Sequence, residues 1–402
     1  MKIAFFLNEF PVLSQTFVLN QIESIARSGH EVHVYAKRRS KDRSDALSAS
    51  LNPEVKVIYL YAHSRQTHKR VISVFSRLLS ELSLKKIMHT FNFVSAREWL
   101  LGMEHISAVH GNGRYDVVHC QFATLWSVVG PLLSTGVISG KLLVSVRGYD
   151  ITVSENYEKW SYQKLFEKAD LLLPVSKSLG KHLKNLGCDD DKIRVLHSGV
   201  EIESFVPKSF APIRQPVKLV SVGRLVEKKG FKFAIQAIRL LVEQGLRCEY
   251  TLIGDGPLKK DLEAYVLENG LAESVFLKGA CDHDTVKQTM SSADIYLAPC
   301  ITAKSGDQEG IPNVLKEAML LEVPVIATRH SGIPELVSDK VSGFLADEKD
   351  VVGIVECVNK LLGMSNPDRL AMVQAARKHV EENFDTKKIS VQLEALYREV
   401  CA

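Results

Sequence analysis

Short apolar runs recur along this chain with longer, helix-period segments between them, and the alternation happens twice. KIAFFL (2–7), EVHVYA (31–36), VKVIYL (55–60), DVVHCQF (116–122), KLLVSV (141–146), LLLPVS (171–176) and IRVLHS (193–198) read as strands of a first series. KLVSVG (218–223), EYTLIGD (249–255), SVFLKG (274–279), IYLAPC (295–300), PVIAT (324–328) and GFLA (343–346) read as a second. Strands this short and apolar, alternating with helices, predict an α/β chain with parallel sheets covered on both faces. Between the series lies VPKSFAPIRQP (206–216), whose prolines mark an interdomain linker. A chain of 402 residues also exceeds one typical core and suits two domains of about 200 residues each. Ligands of such sheets bind beyond the carboxyl ends of the strands, so a cleft lined by loops of both domains is expected.

Composition narrows the function classes. With 46% hydrophobic and 24% charged residues the chain is globular and not disordered. The net charge of +4 is uneven: residues 1–210 carry 27 Lys/Arg against 20 Asp/Glu, and residues 211–402 carry 24 against 27. No nucleic-acid partner is expected. Seven scattered cysteines without C-x-x-C spacing fit reduced thiols and offer no zinc site. The N-terminus begins at once as a strand and carries an acid, unlike a signal peptide. No apolar run approaches the roughly 18 residues that span a bilayer. These features place the chain in the cytoplasm, with any membrane role peripheral.

Two segments carry chemistry. In GDQEGIPNVLKEAMLLEVPVIAT (306–328), Glu309 lies in a glycine-containing loop, and Pro312 suits the first turn of a helix continued by NVLKEAMLL. Glu317 then falls about five residues into that helix, roughly 7–8 Å along its axis. Two carboxylates thus flank a helix N-terminus, whose free N–H groups and positive dipole suit a diphosphate. On spacing alone, an ordinary helix with a solvated pair of glutamates fits equally well. In SVGRLVEKKGF (221–231) a strand ends at Gly223, and Arg224 and Lys229 follow in the loop. Arg can fork onto phosphate oxygens and Lys adds a point charge, although a solvated basic turn is the commoner meaning of such a loop.

Together these segments resemble the family 4 retaining glycosyltransferases of GT-B architecture. SVGRLVEKKG, IGDGP (253–257), FLKG (276–279), ADIYLAP (293–299) and the pair Glu309 and Glu317 match the family's second domain. ARSGHEVHVYA (26–36), ADLLLPVS (169–176) and LHSGVEIESF (196–205) match its first domain more loosely. FPVLSQTF (10–17), EGIPNVLKEAM and HSGIPELV (330–337) are similar to bacterial exopolysaccharide transferases of the colanic-acid type. The resemblance implies two facing Rossmann-like domains: residues 1–210 on the acceptor side, residues 211–384 binding the nucleotide sugar, and a helix over 385–402 returning to the first domain. It implies transfer of a hexose-type sugar, with retention and without a metal or other cofactor, from a nucleotide-sugar donor to a saccharide, lipid-linked in the favoured reading. Arg224 and Lys229 would hold the diphosphate and stabilise the leaving group. Glu309 would bond the donor sugar's hydroxyls, and Glu317 the ribose. Gly223, Gly310 and the amides around Ile311, Asn313 and Val314 would complete the cradle. Pro312 departs from the family's usual glycine and removes one possible donor.

On the acceptor side the resemblance offers Ser14, Gln15, Thr16, His119, Arg147 and Asp150. Many relatives carry His-Gly-x-Asp where this chain has Arg147, Gly148, Tyr149 and Asp150. A guanidinium cannot act as a general base near neutral pH, so Arg147 has two alternatives: recognition of an anionic substrate, or an internal salt bridge with Asp150 or another cleft acid. His119 is a weaker substitute, more suited to a structural role. Asp189, Asp191, Asp282 and Asp284 sit in polar turns and are not expected to chelate a metal. The basic stretch 64–91 fits either an anionic membrane surface or a helix packed on its own sheet with a solvated face. A transferase for a small soluble acceptor, and a degenerate sugar-nucleotide-binding scaffold, remain the rival functions.

Overall fold

The computed structural model describes residues 1–12, 16–40, 51–60, 109, 113–153 and 162–402. Ser14, Gln15 and the basic stretch 64–91 lie outside them, and Thr16 opens the helix Thr16–Arg27. The chain divides into two compact units. The first comprises Met1–Pro174, Gly180–Leu196 and Ile389–Ala402; the second comprises Val175–Leu179 and His197–Lys388. The Pro-punctuated stretch 206–216 therefore lies inside the second unit. Backbone bonds from Val200 N to Phe384 O (2.8 Å) and from Thr386 N to Val200 O (3.1 Å) tie its approach there.

Each unit is built on a six-stranded parallel sheet. In the first these are β1 (Lys2–Phe10), β2 (Glu31–Arg39), β3 (Lys56–Tyr59), β4 (Arg114–Cys120), β5 (Ser139–Val146) and β6 (Leu171–Pro174), in the order 3-2-1-4-5-6. In the second they are β7 (Val217–Val222), β8 (Cys248–Ile253), β9 (Val275–Gly279), β10 (Ile295–Ala298), β11 (Val325–Thr328) and β12 (Phe344–Ala346), in the order 12-11-10-7-8-9. Both orders are the doubly wound Rossmann arrangement, reversing between β1 and β4 and again between β7 and β10. The expected strand at 193–198 is replaced by a single bridge between Leu172 and Ile193. Arg194 N reaches Leu172 O at 3.0 Å and Leu196 N reaches Pro174 O at 3.0 Å. The intervening bond would need an N–H on Pro174, and proline has none, so the ladder stops.

The central strands of both sheets are buried on both faces, as continuous apolar runs predict, while the edge strands β3 and β9 are partly exposed. Leu219 of β7 packs with Ile235, Ile238 and Leu241 of the helix Phe231–Glu243. Its neighbour Val220 points to the opposite face, with Leu315 and Met319 of the helix Asn313–Leu320. Leu315, Ala318 and Met319 lie at helical spacing and are fully buried, so that helix is anchored by one apolar stripe. The last helix, Thr386–Cys401, behaves likewise: Ile389, Leu393 and Tyr397 enter the apolar core of the first unit beside Phe5 and Leu143. Among the described residues no helix is long and apolar enough to cross a membrane.

Candidate functional site

Reversal of strand order between β7 and β10 splays the two loops that leave their carboxyl ends, and these loops carry the basic and acidic residues singled out above. After β7, Gly223 donates its N–H to Ile253 O (3.0 Å) and Leu225 donates to Asp255 O (2.9 Å), fixing the path of the loop. A 3-10 turn, Glu227–Lys229, follows and is closed by Gly230. Arg224 is exposed: its carbonyl accepts the Val226 N–H at 2.8 Å, but its guanidinium has no hydrogen-bond or ion-pair partner among the described residues. Lys229 folds back across Gly223, where a Cβ would lie 3.3 Å from its Cε.

Lys229 is not free. Its Nζ lies 3.2 Å from Glu309 Oε2, and Lys228 Nζ lies 3.2 Å from Glu309 Oε1. Lys228 also pairs with Asp307 at 3.1 Å. The side chains of Lys228, Lys229 and Glu309 are only 14–17% exposed, so these charges act through a medium that screens them weakly. Burial alone would raise the Glu309 pKa; Lys229 and Lys228 more than offset it and bring it down to about 2. Burial raises the Asp307 pKa, against the pull of Lys228. Glu309 is therefore a carboxylate at any working pH, held between two ammonium groups.

Beyond Glu309 the chain runs through Gly310, Ile311 and Pro312 into the helix Asn313–Leu320. No side chain caps this helix, and the amides of Ile311, Asn313 and Val314 have no acceptor among the described residues. Such uncapped N–H groups at a helix N-terminus form an anion site. Glu317 is the fifth residue of the helix and half-buried, and its carboxylate accepts no hydrogen bond among the described residues. Burial raises its pKa, against the nearby charges of His283 and Lys316. A partly desolvated carboxylate of this kind suits donors brought by a ligand, such as a pair of hydroxyls. Gly223, Arg224, Lys229, Glu309, Gly310, Ile311, Asn313, Val314 and Glu317 thus belong to two neighbouring loops and one helix of the same unit.

Five participants were not singled out in the sequence. Lys228 is hidden beside Lys229, and Asp307 reads as an ordinary loop acid. His330 accepts the Glu309 amide at Nε2 (3.0 Å), while Glu348 lies 2.6 Å from its Nδ1. Lys316 is fully buried, with Nζ on Ser198 O (2.6 Å) and Asn313 Oδ1 (3.0 Å), and lies 4.9 Å over the Phe384 ring. A buried lysine is invisible to a pattern that treats charge as surface; only its place on the apolar side of the helix hints at it.

The acceptor-side candidates have a different character. His119 is 0% exposed, with Nδ1 2.7 Å from the Tyr397 hydroxyl and Nε2 2.9 Å from Ser145 Oγ. Burial, with a smaller push from Arg147, lowers its pKa to about 3, so it is a neutral, fully buried histidine. Asp150 is 1% exposed, and its carboxylate accepts the backbone N–H groups of Ala123, Arg147 and Gly148 at 2.9–3.0 Å. It accepts the Arg147 amide, while the guanidinium acts on it only as a nearby charge. The guanidinium instead bonds the carbonyl (3.1 Å) and side-chain oxygen of Gln121 and lies 4.4 Å over the Phe17 ring. Asp282 caps the helix His283–Ser291 through Thr285 N, which is a structural task. None of the described residues forms a group of three or more His, Cys, Asp or Glu able to hold a metal.

Known proteins agree with this architecture. Residues 14–204 match the family described as Glycosyltransferase Family 4, and residues 205–379 match Glycosyl transferases group 1. The chain is 34% identical to the amylovoran biosynthesis glycosyltransferase AmsK of Erwinia amylovora, over 96% of each chain. It is 32% identical to the protein named as the colanic acid biosynthesis glycosyltransferase WcaL of Escherichia coli, over 98% of this chain and 99% of that one. Among solved structures, Anabaena HepE in complex with UDP and glucose superposes with a TM-score of 0.70 at 17% identity, covering 98% of both chains. Sucrose-phosphate synthase from Thermosynechococcus elongatus gives 0.72 at 18% identity, covering 99% of this chain and 98% of that one. The chain therefore belongs to the family 4 glycosyltransferases, with two Rossmann-like domains of the GT-B class and a group 1 glycosyl transferase domain as its second half.

Proposed function

We propose that this glycosyltransferase moves a hexose-type sugar from a nucleoside diphosphate donor to a saccharide carried on a lipid, during assembly of an exopolysaccharide. Transfer is with retention at the anomeric carbon and needs no metal. The observation that carries the reading is the ionised Glu309 held 3.2 Å from Lys228 and Lys229, one turn before the uncapped N-terminus of the Asn313–Leu320 helix. Arg224 and Lys229, with the amides of Ile311, Asn313 and Val314, receive the diphosphate. Glu309 accepts hydrogen bonds from the sugar's hydroxyls, and Glu317 from the ribose.

As the sugar–phosphate bond breaks, negative charge grows on the diphosphate and positive charge on the sugar. Fixed cations and helix dipoles aimed at the first, with a carboxylate near the second, stabilise the transition state electrostatically. The acceptor hydroxyl attacks from the face the diphosphate leaves, and a departing phosphate oxygen takes its proton. The names of AmsK and WcaL, both of exopolysaccharide biosynthesis, support the acceptor class. HepE structures with UDP, glucose and UDP-glucose support a nucleoside diphosphate hexose donor.

The test is a thermal-shift screen of UDP-, GDP- and dTDP-sugars, followed by transfer to lipid-extracted acceptors with EDTA present. Stabilisation by one nucleotide sugar, and undiminished transfer in EDTA, are expected. Loss of transfer in EDTA that Mn²⁺ restores refutes metal independence. Binding without any transfer, to lipid-linked or soluble acceptors, favours a scaffold.

A further inference from the structure

His330 and Glu348 have no role in the reading above, yet they are the only side chains among the described residues that bond the backbone of Glu309 directly or through one intermediary. The His330 side chain is 0% exposed. A backbone N–H can only donate, so Nε2, 3.0 Å from the Glu309 nitrogen, carries no hydrogen. The proton of the neutral ring then sits on Nδ1, facing Glu348 Oε1 at 2.6 Å. Glu348 is ionised to match: burial raises its pKa, but the Thr302 amide and His330 together bring it below the ordinary carboxylate value. Its Oε2 accepts Thr302 N at 2.7 Å and its Oε1 accepts Thr302 Oγ1 at 3.3 Å.

Thr302, Glu348, His330 and Glu309 thus form a continuous chain of hydrogen bonds that joins the two ends of the loop 302–309. A second tie lies one residue further on, where Gly332 N donates to Gly310 O at 3.2 Å. Between the two ties stands Ser331 at φ +45°, a left-handed conformation that a non-glycine residue adopts only when its surroundings demand it. Its hydroxyl is buried without a partner among the described residues. The kink at Ser331 lets His330 and Gly332 grip adjacent residues of one loop. Other charges near the relay are committed elsewhere: Lys228 and Lys229 hold the Glu309 carboxylate, and Arg329 pairs with Asp339 and Asp347.

We infer that His330, oriented by Glu348, is a positioning residue for glycosyl transfer: it holds the backbone of Glu309 so that the carboxylate meets the donor sugar at the reacting distance. The inference rests on the assignment of Glu309 to the sugar. A catalytic group displaced by about an ångström loses much of its effect, so the relay acts on turnover more than on nucleotide binding.

Two substitutions separate the two ends of the ring. In His330→Gln the side-chain oxygen stands as many bonds from the backbone as Nε2 and can accept the Glu309 N–H. In His330→Asn the amide ends at the Nδ1 position, where it can serve Glu348 but stops short of Glu309. Hydrogen–deuterium exchange of the Glu309 amide, kcat, donor KM and affinity for UDP and GDP are measured for both. His330→Asn is expected to speed exchange at least tenfold and lower kcat about 10–100-fold, with KM and nucleotide affinity within about twofold of wild type. His330→Gln restores protection and most of kcat. Equal losses in both variants, or a fall in kcat matched by nucleotide affinity, reduces His330 to packing and overturns the inference. So does unchanged kcat when protection is lost. Should His330→Asn fail to fold, Glu348→Gln, which leaves the histidine in place but frees its tautomer, is judged by the same exchange and kcat criteria. Glu309→Gln is the control: full turnover in it removes the assigned role of Glu309, whereas the exchange measurements report on the relay regardless.

Discussion

Gly230 stands so close to Pro299 that a Cβ built on it would lie 1.8 Å from the proline's carbonyl oxygen. Gly230 has φ +66°, and Ile301 N donates to Lys228 O at 2.9 Å just beside this contact. The loop after β7 and the loop after β10 are therefore braced backbone to backbone, and the distance between Lys229 and Glu309 follows from that brace. Gly230→Ala meets both a backbone obstacle and an unfavourable φ, at a cost above about 1 kcal/mol. It should lower the melting temperature and weaken nucleotide-sugar binding together. Wild-type donor affinity in a stable Gly230→Ala protein would show that the brace is not what spaces the charges.

Lys228 joins Lys229 in holding Glu309 ionised, from outside the expected pair. The folded pKa of Glu309, about 2, is below its ordinary 4.5, so the stability it contributes is present above about 4.5 and lost as pH falls through about 2. Lys228→Met removes one ammonium and leaves the burial, so the Glu309 pKa rises. The acid limb of kcat should then move to higher pH in the variant, and stability should fall by up to about 3 kcal/mol, as for a broken buried pair. Superimposable pH profiles of kcat would show that Lys228 does not act on Glu309.

Glu317 should be coupled to the ribose hydroxyls. Hydrogen bonds to a charged group contribute about 1.5–3 kcal/mol each way, or roughly 10–100-fold in affinity. Wild-type protein should lose this factor when UDP is replaced by its 2′,3′-dideoxy form. Glu317→Ala should bind UDP that much more weakly and then be indifferent to the missing hydroxyls. Additive losses in this cycle would place the ribose elsewhere.

Much of this architecture was legible because parallel strands buried on both faces write themselves as apolar runs. Twelve of the thirteen expected strands formed; the exception failed at a single missing N–H on Pro174, a defect that hydrophobicity does not register. The loop residues at the reversal of strand order were legible because their spacing within one loop is local. Contacts between distant segments were not. Glu309 and His330 are 21 residues apart, and His330 and Glu348 are 18, and each pair meets only because β10, β11 and β12 are neighbours in the sheet. Lys316 was obscured for another reason: a lysine whose ammonium is bonded inside the fold looks, in sequence, like surface.

His119 makes the first unit acid-sensitive. Its folded pKa of about 3 lies below the ordinary value of about 6.5, so the unfolded chain takes up the proton first. The stability that depends on the neutral ring is complete above about pH 6.5 and declines as pH falls toward about 3. His119→Gln keeps some hydrogen bonding without a titratable ring. It should be less stable than wild type at pH 7 yet lose less on going to pH 5, as read from urea midpoints. Equal losses over that interval would show that other buried groups set the acid response.

Arg147 is built into the first unit, where its contacts are internal to the fold. Burial lowers its pKa to about 10, with Asp150 opposing the shift, so it stays a cation at neutral pH. The guanidinium is engaged by Gln121 and lies 4.4 Å over Phe17 and 5.7 Å over Phe122. Gln121 in turn donates to Gln21 at 2.9 Å, so the contact is braced from the helix Thr16–Arg27. A guanidinium over an aromatic ring contributes about 0.5–2 kcal/mol, and lysine does not reproduce its planar fork. Arg147→Lys should therefore destabilise the unit by that amount and slow transfer by the same factor with charged and neutral substrates alike. The opposite result, a much greater loss with a uronic acid donor or a lipid diphosphate acceptor than with neutral counterparts, would mean that the cation reads an anionic substrate in addition to holding Gln121. Transfer rates for matched charged and neutral substrates, with melting temperatures of the same preparations, separate the two.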